Sequence, residues 1–467
     1  MAALSFVQTQ ESTIQKTPFT PAPQAVAAAP TRRAWLTGVS SAGLALAATG
    51  AATATSTPAH AARVATKARI AIAGSGLAGL ALAHRLTKLL DGARITVIDA
   101  KEEHNYQPGY TLVATGVWPV GKVVDQNADF MPAGVEWVKD MVAEFDPAAN
   151  TVVTAGGQRI AYDYLIVAVG THQDWAQIEG MDLKAIGQNG LTSVYPSSGA
   201  AVATWAAMDA FCKKGGKAVM TLPSSALKCA GAPLKMAFML RDRLAQGGRL
   251  KQSEVMFYSA LGNVFSVKSV NDNVLERWSN LGIALHTHQT LQAIDIGGRR
   301  AIFASPDGGK TEVDYDFLHA VPPMRAPDAV KNSDLAWKEG PMAAGGWLEV
   351  DKATLQHRRY PNVFGLGDIN GTPRGKTAAT VKKSAPIVAQ HVVDVIAGRA
   401  PSQQFDGYTS CPMIVREGSA MLIEFDYDGK LTPSLPMIEP LQESYFAWLM
   451  KVWMLKPAYL ATLKGRV

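Results

Sequence analysis

Two sets of residues in this sequence have the types and spacing for chemistry: a few thiols, and a glycine cluster answered by a carboxylate. The thiols are Cys212, Cys229 and Cys411, the three cysteines of a 467-residue chain. Cys229 stands just ahead of Ala230-Gly231-Ala232-Pro233, where the proline suits the first turn of a helix, and Lys228 and Lys235 lie close by in sequence. A helix N-terminus and nearby ammonium groups both favour thiolate, the nucleophilic form. Cys411 lies so far downstream that only the fold can bring it to Cys229. On composition alone each thiol is an inert buried side chain, while two of them can form one redox pair. Three scattered cysteines build no disulfide framework, and no CxxC or Cys/His cluster suggests a metal. Cys212, on an expected helix at Phe211-Cys212-Lys213, is taken as structural.

The glycine cluster is Gly74-Ser75-Gly76-Leu77-Ala78-Gly79, preceded by the apolar run Arg69-Ile70-Ala71-Ile72-Ala73 and followed by Leu80-Ala81-Leu82-Ala83. It reads as strand, turn and helix. Gly74 permits the tight turn, Gly76 lets backbone amides approach a pyrophosphate, and Gly79 lets the helix pack close on the sheet. A second strand, Arg94-Ile95-Thr96-Val97-Ile98, ends at Asp99, where a carboxylate can accept hydrogen bonds from an adenosine ribose. A glycine triplet alone is a weak signal; with both strands, the helix and the terminal acid in register it marks a dinucleotide site. Far downstream, Val363-Phe364-Gly365-Leu366-Gly367-Asp368 is an apolar strand ending in Gly-Asp, the second fingerprint of FAD-binding domains, whose aspartate holds the ribitol hydroxyls. The two together select FAD over NAD. Lys376-Thr377-Ala378-Ala379-Thr380-Val381 opens a helix beside it whose N-terminal amides can face the flavin.

The remaining elements position these groups. The polar loop His104-Asn105-Tyr106-Gln107-Pro108 falls outside the carboxyl end of the first sheet, where Gln107 can hydrogen-bond a ligand. Short strands are expected at 135–142 and 151–153, and a buried strand from Tyr162 to Gly170 ends the first part of the domain. Residues 196–339 read as a second nucleotide-binding-type unit, with a first strand at 217–222 and a helix at about 233–244. The turn between them, Pro223 to Pro233, holds Cys229 and no GxGxxG, so it offers no cradle for NAD(P)H. His286 and His288 are expected on one strand face; without a third ligand nearby they read as solvated. Residues 340–405 return to the first domain. The tail, 406–467, has a hairpin pattern through Met421 to Tyr427 and an aromatic run from Tyr445 to Lys456, too short and charged to span a bilayer. Its aromatics and lysines suit a helix lying in a membrane interface, and a buried core helix accounts for it equally well.

Ahead of all this, residues 1–61 form a leader. Thr31-Arg32-Arg33-Ala34-Trp35-Leu36, the uncharged small-residue run at 36–54 and Ala59-His60-Ala61 read as a twin-arginine export signal with an A-x-A cleavage site. This places the mature chain, from residue 62, on the periplasmic side of the cytoplasmic membrane as a peripheral protein. The net charge of +6 is mild. It fits anionic lipid or an anionic substrate, and the absence of a long basic run with interleaved aromatics argues against nucleic acid.

Four stretches carry a resemblance: Cys229-Ala230-Gly231-Ala232-Pro233, His357-Arg358-Arg359-Tyr360-Pro361-Asn362-Val363-Phe364-Gly365, Tyr408-Thr409-Ser410-Cys411-Pro412 and Glu424-Phe425-Asp426-Tyr427. Over roughly residues 69–460 the chain resembles sulfide:quinone oxidoreductase, of the branch that includes the mitochondrial enzymes. The resemblance implies an α/β chain with two Rossmann-like dinucleotide-binding-type domains, noncovalent FAD, and a C-terminal membrane-associating region where quinone meets the flavin. It implies Cys229 and Cys411 as the redox pair, and FAD contacts at Leu77, Ala78, Asp99, Gln107, Val142, Asp368, Ala378, Ala379, Thr380 and Val381. Lys235 and Lys451 are candidates for electrostatic support. The implied reaction takes hydrosulfide to sulfane sulfur on a thiol, sulfite or polysulfide acceptor. The export signal and Cys212 depart from the mitochondrial pattern. A competing expectation is the flavoprotein subunit of flavocytochrome c sulfide dehydrogenase, which passes electrons to a haem subunit. A type II NADH dehydrogenase shares the architecture but needs the missing second glycine motif.

Overall fold

The computed structural model describes residues 63–467; the leader motifs at 31–36 and 59–61 lie outside the described residues. The first unit runs Arg69–Ala73 (β1), Leu77–Leu89 (α1), Arg94–Ile98 (β2), Glu136–Val138 (β3) and Tyr164–Val167 (β4). The second runs Leu191–Thr192 (β5), Ser198–Lys214 (α2), Gly216–Leu222 (β6), Ala232–Gln246 (α3), Ser253–Ser259 (β7), Lys268–Leu281 (α4), Ile283–His286 (β8) and Phe317–His319 (β9). The chain then returns through Val363–Gly365 (β10) and Ala378–Ile396 (α5). It finishes with the hairpin Thr409–Arg416 (β11) and Ser419–Phe425 (β12), then Tyr445–Leu449 (α6), a π-helical turn Met450–Met454 and Leu455–Leu463 (α7).

Two five-stranded parallel sheets result, in the orders β10-β4-β1-β2-β3 and β5-β9-β6-β7-β8. Helix-covered parallel strands are buried on both faces, and β1 and β4 accordingly read as unbroken apolar runs. Ile70, Ile72, Leu165 and Ile166 are all but inaccessible. In both sheets the central strand, β1 or β6, feeds directly into a turn and a helix. Helix α1 lies against β1 because Gly79 has no side chain: an ideal Cβ there would sit 1.8 Å from the Gly74 carbonyl oxygen.

Two expectations fail locally. β8 stops at His286, whose ring stacks on Tyr258 at 4.4 Å, and His288 follows in a left-handed turn with φ +56°, so the two histidines do not share a strand face. The aromatic tail is not one helix either. Pro457 has no amide to give the Trp453 carbonyl, and its ring would press on that carbonyl in a regular α-helix; the wider π turn just before it relieves both. The break sorts the side chains. Trp448, Lys451 and Val452 face inward, while Tyr445, Phe446, Trp453 and Met454 are exposed. The tail lysines therefore do not flank an exposed apolar stripe: Lys451 is buried, and Lys456 is paired with Asp125 at 2.9 Å. Among the described residues no helix is long and apolar enough to cross a membrane.

Candidate active site

The turn after β6 carries Cys229 in a left-handed backbone conformation, φ +51°, a region that a non-glycine residue adopts only when its neighbours hold it there. They do so from both sides. The Cys229 amide donates to the Lys376 carbonyl at 3.0 Å, and its carbonyl accepts from the Ala232 amide at 2.8 Å as α3 begins. Pro233 sits in the first turn of that helix. The Tyr195 hydroxyl, fully buried, donates to the same Cys229 carbonyl at 3.5 Å.

Cys411 arrives from β11, opposite Ile423 of β12, and is 5 % exposed. Lys235, one turn into α3, brings the two thiols together. Its Nζ donates to the Cys229 sulfur at 3.6 Å, and its charge acts on the Cys411 sulfur as well. Both cysteines are free thiols in this structure. Burial opposes the charge on Lys235, but the two sulfurs outweigh it and hold the ammonium above its ordinary pKa. Burial pushes the Cys411 thiol up, with Lys235 and Lys451 pulling the other way. A sulfur on a buried strand loses more to desolvation than two cations return.

Lys451 lies in the π turn with its Nζ donating to the Pro108 carbonyl at 2.7 Å. Burial, with Lys235 adding to it, brings its pKa down to about 7, while both sulfurs oppose that fall. The lysine thus ties the π turn to the loop of Gln107, which is exposed in a 3-10 turn, Gln107–Gly109. Lys228 acts on the Cys229 thiol only weakly. It is drawn mainly to Asp368, and burial lowers its pKa to about 8.

The expected FAD residues form a cradle of the right chemistry. The N-terminus of α1 at Gly76 has no capping side chain and no acid in its first turn, and the space in front of Gly76 is open. Such an end presents free amides to a pyrophosphate. Asp99 ends β2, with one oxygen accepting from the Ser75 amide at 2.7 Å and the other from the Lys101 amide at 2.9 Å. Each oxygen keeps a lone pair for a ribose hydroxyl. Leu77 and Ala78 open α1, and Ala78 and Val381 converge on Gly367, whose ideal Cβ would lie 3.1 and 3.6 Å from them. Asp368 follows at once, its carboxylate raised by burial and drawn down by Lys376 and Lys228, with no hydrogen-bond partner among the described residues. Its oxygens can accept from ribitol hydroxyls. Ala378 and Ala379 open α5, and Thr380 bonds both the Thr377 hydroxyl at 3.0 Å and the Thr409 hydroxyl at 3.3 Å, two residues from Cys411.

Lys376 and Val142, also expected at the flavin, have these partners within the chain. The Lys376 ammonium turns to the carbonyls of Asp368 and Asn370, at 2.5 and 3.0 Å, and lies 3.5 Å from the Trp347 ring centroid. A buried ammonium needs those acceptors, and the Lys376 carbonyl ties the cradle to Cys229. Val142 starts the strand Val142–Asp146, paired to Thr154, and is joined to none of these contacts.

With this geometry in hand, the chain can be set beside known proteins. Residues 68–206 match the pyridine nucleotide-disulphide oxidoreductase family. The mitochondrial sulfide:quinone oxidoreductase of Dictyostelium discoideum is 36% identical over 400 residues, covering 85% of this chain and 86% of that one. The chain belongs to the sulfide:quinone oxidoreductase family. The mitochondrial member from Mus musculus is 33% identical over 84% of this chain and 85% of its own. The crystal structure of the Aquifex aeolicus sulfide:quinone oxidoreductase superposes with a TM-score of 0.70 at 21% identity, over 85% of this chain and 92% of that one, which shows the shared fold.

Around the site of this family member, sequence reasoning missed Tyr195, Tyr106 and the Pro108 carbonyl. Tyr195 feels both sulfurs and Tyr106 feels Cys229, each with a hydroxyl pKa raised first by burial. No local pattern announces them; they reach the site only through the packing of the 104–113 segment against α2.

Proposed function

We infer that this protein is an FAD-dependent sulfide:quinone oxidoreductase, taking sulfide as reductant and membrane quinone as oxidant, with Cys229 and Cys411 as its redox pair. One observation carries the assignment of the pair: a single buried ammonium, Lys235, bonds the Cys229 sulfur at a turn whose Gly231 lies directly against the Cys411 sulfur and whose backbone is bonded to the FAD cradle. In the proposed cycle hydrosulfide attacks the bridged pair at the Cys411 sulfur. A sulfur–sulfur bond forms there as the Cys229–Cys411 bond breaks, and the electron pair leaves on Cys229 as thiolate beside Lys235. An acceptor thiol, sulfite or polysulfide then takes the outer sulfur, leaving Cys411 as thiolate. Lys235 and Lys451 hold positive charge against these anions in a buried site, where such interactions are strong. FAD held in this cradle would supply a two-electron acceptor for the rejoining of the two thiols and a two-electron donor to quinone.

The reading assigns Gly74, Gly76, Gly79, Leu77, Ala78, Asp99, Gln107, Asp368 and Ala378 to Val381 to the FAD seat. We propose the domain limits 62–195 and 340–405 for the FAD domain, 196–339 for the second Rossmann-like domain and 406–467 for the tail. The exposed Tyr445, Phe446, Trp453 and Met454 form the proposed membrane-facing edge, since aromatic side chains favour the headgroup level. The leader is proposed as a targeting segment. Arg32-Arg33 supports twin-arginine export, the mitochondrial names of the relatives weigh against it, and fractionation of the full-length chain in its own cells decides between them.

The test of function is an anaerobic titration of the flavin spectrum with sulfide, followed by a soluble quinone analogue. Bleaching by sulfide and recovery with quinone are expected. A flavin that sulfide leaves oxidised, or that only a cytochrome reoxidises, overturns the reading.

A further inference from the structure

Resting on the reading of Cys229 and Cys411 as the redox pair, we propose that Gly231 is the positioning residue that gives the Cys411 sulfur its place against the Cys229 turn. An ideal Cβ on Gly231 would lie 2.3 Å from Cys411 Sγ, 3.1 Å from Met413 Cε and 3.8 Å from Lys235 Cε. The first distance is far inside van der Waals contact. The backbone gives no other reason for glycine here: Gly231 has φ −81° and ψ −5°, open to any L-residue, and it caps α3 without any side-chain bond. Its neighbours Ala230 and Ala232 both carry a Cβ, so the missing atom is confined to the one position that faces sulfur.

The two elements cannot simply part to admit a methyl group. β11 is paired along its length with β12, Cys411 and Met413 share its inward face, and both are buried. On the helix side the Lys235 amide donates to the Gly231 carbonyl at 3.0 Å, so the two residues stack one turn apart on the face turned to β11. Gly231 supplies room and Lys235 supplies charge. With a methyl group at 231, Cys411 relieves the overlap by rotating its one side-chain torsion, which carries Sγ away from Lys235 and from Cys229. A disulfide needs its sulfurs at about 2.05 Å, so the rotated thiol does not close the bridge. Closure joins two thiols with loss of two protons and two electrons, the electrons going through FAD to quinone; the displacement blocks this step and leaves cofactor binding alone.

The test uses the full-length, FAD-loaded protein and four forms: parent, Gly231→Ala, Cys411→Ala and the double variant. Overpacking lowers the melting temperature of Gly231→Ala by about 3–6 °C relative to the parent. In the Cys411→Ala background, where the clashing atom is gone, the same substitution costs less than about 1 °C. After oxidation with quinone, alkylation in denaturant finds one thiol in the parent, Cys212, and three in Gly231→Ala. Its bleaching by sulfide slows by about 10²-fold, the scale of a misplaced reacting atom. Equal destabilisation in both backgrounds, or a single titrated thiol in Gly231→Ala, overturns the proposal. Should Gly231→Ala alone give no folded holoenzyme, recovery of folding in the double variant supports the proposal and failure to recover overturns it. The redox reading fails separately: sulfide turnover retained by Cys229→Ser and Cys411→Ser would remove it without touching the melting comparison.

Discussion

Two turns occupy the same place in the two sheets. Each leaves the central strand of a five-stranded parallel sheet and enters a helix whose N-terminus has no capping side chain. In the first, glycines at 74, 76 and 79 clear the space before the helix and let it press on its strand. In the second, Pro223 to Gly231 makes a longer excursion that holds Cys229 left-handed over the helix start. On the proposed reading, the same positive end of a helix serves a phosphate in one half and a sulfur in the other. The difference lies in what is let near: bare backbone amides in one, a thiol and a lysine in the other.

The contrast can be broken at several points. The largest effect is expected for Gly79→Val in the phosphate turn. Its Cβ would meet the Gly74 carbonyl at 1.8 Å, costing on the order of 3 kcal/mol or more, and the holoenzyme should not accumulate; normal flavin content in purified protein would refute the close-packing argument. In the sulfur turn the expected result is the reverse. Cys229→Ser or Cys411→Ser keeps its flavin absorbance while sulfide-dependent quinone reduction falls by about 10³-fold or more.

A smaller effect concerns pH. Lys451 titrates at about 7 when folded and near its ordinary 10.5 when unfolded, so between these values the unfolded chain binds more protons. The penalty of burying it charged is full below pH 7 and is relieved as pH rises, at up to about 1.4 kcal/mol per pH unit. Lys376, also brought down to about 7 by burial, acts in the same direction. Melting from pH 7 to 9 should therefore show a rise in the parent that Lys451→Met reduces without abolishing, and an unchanged rise would remove Lys451 as a source. The smallest effect is expected at Tyr195, whose 3.5 Å bond to Cys229 is long. Tyr195→Phe should slow flavin bleaching by less than about five-fold, and a larger loss would move that hydroxyl into the chemistry.

Much of this was legible because local rules sufficed. The glycine spacing around Gly76, the acid at Asp99 and the unbroken apolar β1 and β4 each follow from short-range patterns, as does the absence of a glycine cradle after β6. What stayed hidden depends on contacts between distant segments. The left-handed φ of Cys229 has no sequence signature, because cysteine is an ordinary residue there until Lys376 and Ala232 hold it. Lys376 looked like a cofactor ligand from its place before α5, yet its ammonium is satisfied by two carbonyls and Trp347. The tail was ambiguous because aromatic and basic residues suit both an interface and a core; the π turn ahead of Pro457 sends some of them each way.

The bond from the Cys229 amide to the Lys376 carbonyl means that the nucleotide seat and the sulfur centre are not separable parts. A change in the nucleotide seat that moves the Lys376 peptide would move the support on which the thiol's posture depends. Anyone transplanting the sulfur loop into another scaffold would have to carry the segment from Gly375 to Thr380 along with it.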